Sequence, residues 1–447
     1  MEKNLTSGSV LKNIIYFSIP YFLSYFLQTL YGMADLFIIG QFNGVESITA
    51  VSVGSQVMHM LTVMIVGLAM GSTVMIGQAI GGNKKKEASE IIGNTVSLFM
   101  IVAIVFTITL VFCVKPIVAL MSTPEEAVAG TSAYLTICFI GIPFITLYNV
   151  ISSIFRGLGD SKSPMYFVAI ACAVNIGLDY LFIGVFQMGA AGAALGTTLA
   201  QTASVCVALW VILKQNTGLS LKKSDFRPKK SVLGSVLKIG VPVAVQDGFI
   251  QISFIIVTII ANRRGLSDAA AVGIVEKIIG VVFLVPSSML STVSALSAQN
   301  IGARKHRRAS STLRYGILIT VTYGLIVALI VQISPETLIG LFTSEKNAEV
   351  IRMGSQYISG YIFDCVFAGI HFSFSGYFCA YGKSGISFLH NFLSIILVRV
   401  PGAFLASKLF ADTLLPMGFA STCGSMLSVI VCVIAYIYLK KKGNLGN

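Results

Sequence analysis

The chain is short of charge: Asp, Glu, Lys and Arg together make up only 11% of its 447 residues. A soluble protein carries about 25%. Too few polar side chains remain to cover a water-facing surface, so a soluble globular fold is excluded. Cysteine pairing is missing too. The eight cysteines (Cys113, Cys138, Cys172, Cys206, Cys365, Cys379, Cys423 and Cys432) lie in or at the ends of apolar runs, and none forms a CxxC pair. That argues against a disulfide framework or a zinc site and leaves them as small packing residues. No GxxxxGK[ST] loop is present, so nucleotide hydrolysis is not expected. The first apolar run, Ile14 to Ile39, exceeds the roughly 7–15 residues of a cleavable signal core, and no small-residue cleavage site follows it. It reads as a first retained helix.

What the chain does have is hydrophobic residues, at 55% of the total. They fall in runs long enough to cross about 30 Å of hydrocarbon. The runs predict an all-α polytopic membrane protein with twelve transmembrane helices, over 13–39, 47–79, 89–114, 126–155, 163–186, 190–214, 232–261, 268–298, 308–332, 347–378, 384–410 and 416–439. Basic residues alternate between the connections. One set of connections runs from Lys3 and Lys12 through Lys84-Lys85-Lys86, Arg156, Lys162, the stretch 214–238, the stretch 304–314 and Lys383 to Lys440-Lys441-Lys442. It holds 23 of the 31 basic residues. The other set holds Lys115, Arg263, Arg264, Lys346, Arg352 and Lys408. The positive-inside rule therefore puts both termini in the cytoplasm. The net charge of +13 is on this reading a topology signal, and no nucleic-acid partner is expected. An integral inner-membrane location in a prokaryote is expected.

The sequence also repeats. GQAIGGNKKKEAS (77–89) resembles AQNIGARKHRRAS (298–310), and FSIPYF (17–22) resembles KIGVPVA (238–244), pairing Pro20 with Pro242. EAVAGTSAY (126–134), FRGLGDSKSP (155–164) and QMGAAGAALG (187–196) likewise match EVIRMGSQY (349–357), FCAYGKSGIS (378–387) and PMGFASTCGS (416–425). All five offsets lie between 221 and 229 residues. Six helices per half make the repeat parallel, about an axis along the membrane normal. The predicted parts are an N-terminal lobe over 1–214, a basic cytoplasmic linker over 215–231 and a C-terminal lobe over 232–447.

Ionisable groups inside hydrocarbon are costly and mark function by default. In the first half these are Asp35 and Asp179, with no basic residue inside any predicted helix to pair with them. An unpartnered buried acid takes up a proton or binds a metal cation. Asn175 lies four residues before Asp179, on the same helix face. At about 1.5 Å per residue, Thr197 and Tyr134 fall at a similar depth. Together the five supply only oxygen donors, which suit a hard cation such as Na+. Pro20 removes one backbone hydrogen bond within helix 1 and is a candidate hinge. The second-half helices carry Asp247, Glu276, Lys277, Asp364, His371 and Arg399. Ion pairing of Glu276 or Asp364 with Lys277 or Arg399 is the plain reading. Asp364, Ala368 and His371 share a face and are a candidate proton relay or cavity lining. His59 reads as a core histidine. Gly157-Leu158-Gly159-Asp160 matches the GxGD of intramembrane aspartyl proteases, but it sits in a short basic loop rich in Gly and Pro, so a turn is expected there.

YGMADLFIIGQFNG (31–44), GQAIGGNKKKEA (77–88), FRGLGDSKSP (155–164), NIGLDYLFI (175–183) and GAAGAALGTTLAQ (189–201) together resemble the multidrug and toxic compound extrusion (MATE) family. The resemblance implies a V-shaped, two-lobed antiporter, taken as a monomer. Such an antiporter exports amphipathic, often cationic, compounds in exchange for sodium ions or protons and needs no other cofactor. It assigns the coupling cation to Asp35, Asn175, Asp179, Thr197 and Tyr134, and the bend of helix 1 to Pro20. Some members use a helix-7 glutamate, where this chain has Asp247 and Gln251. The alternatives are a lipid-linked precursor flippase of the same superfamily, an intramembrane enzyme, or a receptor.

Overall fold

The computed structural model describes residues 5–214, 221–343 and 347–446. Lys3, Lys346 and positions 215–220 of the expected linker lie outside the described residues. Among the described residues every regular element is helical. Among them eleven helices are long and apolar enough to span a membrane, or twelve if one bent pair counts as a span. Two compact units form, Ile19–Gly240 and Leu5–Ser18 together with the chain from Val241 onward.

In the first unit, α1 (Val10–Phe42, here from Ile19), α2 (Val45–Gly81) and α3 (Lys85–Phe112) precede the short α4 (Val114–Leu120). Then α5 (Glu125–Ile140) and α6 (Ile142–Gly157) meet at Gly141 and bend by 51°. Next, α7 (Lys162–Asp179) runs into a π-helical segment (Tyr180–Val185), and α8 (Gly189–Lys214) follows. Residues 223–229 lie along α3: Asn94 Nδ2 donates to the Asp225 carbonyl at 2.9 Å and Lys229 pairs with Glu90 at 2.8 Å. Asp160 caps the start of α7, accepting from the backbone N–H of Lys162 at 2.9 Å and of Ser163 at 3.1 Å. The GxGD sequence is therefore a turn.

In the second unit, α9 (Lys230–Asn262, here from Val241) leads to α10 (Leu266–Val282), α11 (Leu284–Gly302), α12 (His306–Ile333) and the short α13 (Pro335–Gly340). There follow α14 (Ala348–Tyr361), α15 (Asp364–Ala380), α16 (Ser384–Ser394), a second π segment (Ile395–Arg399), α17 (Val400–Leu409) and α18 (Leu415–Lys441). Arg308 donates to the backbone carbonyls of Gly8 and Ser7 at 2.8 and 3.1 Å, so the amino-terminal segment is tied to the start of α12.

The repeat is visible in the backbone. Asn83 and Arg304 both take positive φ, 57° and 58°, at matching places after α2 and α11. Gly159 and Gly382, at 89° and 67°, match in the turns that follow α6 and α15. Arginine adopts this left-handed region at a steric cost, so the turn geometry is imposed by the helices on either side. Polarity is inverted relative to a soluble bundle. Ile101, Ile104, Val105 and Ile108 face outward on α3, while Ser72, Asn94 and Thr95 are buried. Thr95 Oγ1 donates to Ser72 Oγ at 3.0 Å. Small residues at helix crossings and hydrogen bonds across them are how helices associate in lipid.

The tightest such crossing in the second unit is at Gly376, where an added Cβ would stand 2.2 Å from the Leu290 carbonyl oxygen. Gly376→Ala must force α11 and α15 apart, at a cost of about 1–3 kcal/mol, read as a lower thermal unfolding midpoint in detergent. Gly385→Ala, with nothing within 4 Å of the new Cβ, should cause no loss.

Candidate functional site

Four of the five residues singled out in the first half converge. Asp35 projects from α1, Asn175 and Asp179 from α7, and Thr197 from α8. Thr197 Oγ1 donates to Asp35 Oδ2 at 3.3 Å. The Asp35 carboxyl also faces Asp179 and Asn175. Asp35 is 3% exposed and Asp179 fully buried. Asp35 Oδ1, both carboxyl oxygens of Asp179 and both amide atoms of Asn175 have no hydrogen-bond partner. Among the described residues, no lysine or arginine pairs with either acid. Two carboxyls side by side in a low dielectric repel each other, and sharing one proton or one cation relieves this.

Local structure sets this geometry. The π segment begins at Tyr180, directly after Asp179, and such irregularities re-aim the side chains beside them. On α8, a Cβ at Gly196 would stand 2.2 Å from Asp179 Oδ1. Only glycine lets α8 approach this closely.

The fifth residue, Tyr134, is differently engaged. Its ring lies against Gly54, where a Cβ would stand 2.3 Å from Tyr134 Cδ1, and its hydroxyl hydrogen-bonds to Ser55 Oγ at 3.2 Å. The phenol is near enough to feel the Asp35 charge, but its oxygen is committed to Ser55.

Sequence reasoning passed over several neighbours. Gln28 and Tyr31 share the Asp35 face of α1 at helical spacing, and Gln201 Nε2 donates to the Tyr31 hydroxyl at 3.4 Å. The spacing 28, 31, 35 was the signal available. Arg156 is another case. The loop reading placed it outside the helices, but it lies in the last turn of α6, buried, with its guanidinium carbon 4.1 Å from the Tyr21 ring centroid. Tyr148 lies about two turns back along the same helix, within electrostatic range of the guanidinium.

The second unit holds a different cluster. Arg399, at the end of the π segment, donates from Nη2 to the Tyr361 hydroxyl. Its guanidinium carbon sits 4.6 Å from the centroid of the Phe254 ring. Glu276, Asp364 and Tyr357 stand around it within electrostatic range. The expected direct ion pairs do not form: Arg399 has no ion pair among the described residues, and Lys277 points outward. Glu276 instead accepts from Thr258 Oγ1 at 3.1 Å. Of the two candidate relay residues, Asp364 faces Arg399 and Ser425, and His371 faces His390. His371 stacks edge-on against His390, with ring centroids 5.3 Å apart, and His390 Nε2 bonds Ser375 Oγ at 2.8 Å. The two histidines lie on facing helices, a pairing that no spacing within α15 encodes. Asp247 is half-buried on α9 near Cys379, with Gln251 one turn further along the same helix. Among the described residues, no three His, Cys, Asp or Glu side chains could together hold a metal ion.

A family model described as MatE matches the chain twice, over residues 20–181 and 242–405. A probable multidrug resistance protein, YpnP of Bacillus subtilis, is 29% identical over 95% of this chain and 96% of its own length. The multidrug export protein MepA of Staphylococcus saprophyticus is 22% identical over 91% and 89%. Among solved structures, a MATE protein in complex with MaL6 superposes with a TM-score of 0.91 at 23% identity, over 98% of this chain and 99% of that one. A transporter of the MOP superfamily from Pyrococcus furiosus, described as having a binding pocket of reverse polarity, gives 0.90 at 21% over 99% and 98%. The family match covers most of both halves, and the chain belongs to the MatE family, the multidrug and toxic compound extrusion transporters.

Proposed function

We propose that this transporter is a cation-coupled antiporter that exports amphipathic, mostly cationic, small molecules by alternating access. The observation that carries the reading is the buried Asp35–Asp179 pair with unpaired oxygens and no basic partner among the described residues. A sodium ion or a proton can each supply the missing positive charge. Asp35, Asp179, Asn175 and Thr197 form the coupling set, and Tyr134 packs α5 against Gly54 and Ser55 of α2. Loading the ion removes negative charge from the site and so weakens its hold on a cationic substrate. Reloading with substrate favours release of the ion. Pro20 lies two residues past Ser18, the last residue of α1 that belongs to the second unit. A hinge there would let the segment bearing Asp35 respond to its charge. The topology proposed has both termini in the cytoplasm of an inner membrane, with lobes over 1–214 and 232–447 and a monomer as the working unit.

Two tests follow. In everted membrane vesicles, uptake of a fluorescent cation is driven by a sodium gradient and by a proton gradient in turn. Asp35→Asn and Asp179→Asn should each lower ion-driven uptake at least about tenfold, the effect of losing about 1.4 kcal/mol of coupling. Gly196→Ala should act likewise although no ionisable group changes, because the new methyl displaces the Asp179 carboxyl. Full ion-driven uptake by a folded Asp35→Asn protein would sink the mechanism. Second, Tyr134→Phe and Ser55→Ala should each cost about 1 kcal/mol of stability. The double variant should cost no more than either single one, with uptake retained in all three. Loss of coupling in Tyr134→Phe alone would restore the phenol to the ion's shell.

A further inference from the structure

Arg156 is a buried cation that the first unit leaves without a counter-charge. It is 7% exposed, in the last turn of α6. Its Nε–H has no hydrogen-bond partner, and no ion pair reaches it among the described residues. The acid nearest in sequence, Asp160, spends its carboxylate on the backbone N–H groups of Lys162 and Ser163 and on the Ser163 hydroxyl. Asp35 lies much further along α1 than Tyr21, by about 21 Å at the rise of a helix. The negative end of the α6 dipole and the Tyr21 ring each return part of the cost of burying the charge. Desolvation of an unpaired ion exceeds both.

The surroundings are made of donors. Tyr148, Ser152 and Arg156 follow one another at intervals of four and so share a face of α6. The Tyr148 and Ser152 hydroxyls are buried and, like Arg156 Nε, have no hydrogen-bond partner. Tyr148 is within electrostatic range of Arg156 and faces Ser152 and Gln28. The Tyr21 ring covers one face of the guanidinium, 4.1 Å from its carbon to the ring centroid, and leaves the edge for other contacts. A guanidinium has only N–H groups to offer, and each hydroxyl has a hydrogen to give. The cluster therefore lacks one thing, a negatively charged acceptor. Water would bring lone pairs but no charge. A small anion brings both and can accept from all three groups at once. The walls are closed, with Tyr21 and Tyr148 each 2% exposed and Ser152 fully buried, which favours a monatomic ion over a lipid headgroup. We propose that the first unit binds a small inorganic anion, chloride by size and charge, between the Arg156 guanidinium and the hydroxyls of Tyr148 and Ser152. The ion is a counter-charge held on α6, separate from the coupling set.

The test needs no transport. The thermal unfolding midpoint of the full chain in detergent is followed while chloride is exchanged for gluconate at constant sodium and ionic strength. Wild-type protein should melt at least about 2 °C higher in chloride, and bromide should replace chloride. Arg156→Gln should abolish the difference. Ser152→Ala should raise the half-maximal chloride concentration at least about tenfold, as expected for one lost hydrogen bond to a charged group, and it stands in if the glutamine variant does not fold. Lys162→Gln, which removes an exposed charge nearby, should keep the wild-type response. Crystals of the full chain grown in bromide should show an anomalous peak at the edge of the Arg156 guanidinium. A midpoint indifferent to chloride with no such peak means that water alone fills the site, and overturns the proposal. A chloride response that persists in Arg156→Gln is a general salt effect and overturns it too. A midpoint raised by added phosphatidylglycerol but not by chloride hands the guanidinium to a lipid phosphate and equally rejects the small-anion site.

Discussion

Two carboxyl groups brought together in a buried, low-dielectric place are the constraint around which the first unit is arranged. Asp35 and Asp179 come from helices far apart in sequence, and their contact requires α1, α7 and α8 to meet. Each local feature serves that meeting. Gly196 removes the side chain that would strike Asp179. The Thr197 hydroxyl satisfies one Asp35 oxygen. The π segment starts at the residue after Asp179. Carboxyls held this way are expensive in the folded state. The residual cost is an affinity for whatever cation relieves it, so in the proposed mechanism the instability of the empty pair is itself the coupling energy.

The scaffold that carries this cost is repeated, and the repetition extends below the level of helix count. Asn83 and Arg304 share a left-handed backbone at corresponding turns, as do Gly159 and Gly382. Asparagine and glycine tolerate that conformation, whereas arginine does not favour it. The turn is thus fixed by how its flanking helices pack rather than by its own residue. The family model likewise matches once in each half.

How much of this was readable in the sequence depended on whether a residue's role is local. Hydropathy located the eleven helices among the described residues that are long and apolar enough to span, and the bent pair α5–α6 that would make a twelfth, because in lipid the need to bury backbone polar groups leaves little choice of structure. Asp35, Asn175, Asp179 and Thr197 were legible because a charge or amide in an apolar run announces its own cost. The hydroxyl partner of Tyr134 on α2 follows from how α2 and α5 rotate about their axes. Arg156 was misplaced because Gly157, Gly159 and Pro164 read as a loop, while α6 continues through Arg156 and buries it on Tyr21. Gly196 carried no signal at all, since its importance lies in an atom it does not have. The side chains around Arg399 come from α9, α10, α14, α15 and the π segment, and no pattern along any single helix encodes that convergence.

The same register that aligns the halves shows where their chemistry separates. With Tyr134 opposite Tyr357, Gly141 stands opposite Asp364 and Ile176 opposite Arg399. The first unit therefore has acids without a fixed cation at its site, and the second has acids with one. A guanidinium is covalently held and stays protonated at any physiological pH. It cannot be exchanged across a membrane, so a gradient has no purchase on it. A site of the first kind responds to an ion gradient, because its counter-charge must be borrowed from solution. The matching positions Gly141 against Asp364 and Ile176 against Arg399 are where the two halves part in charge.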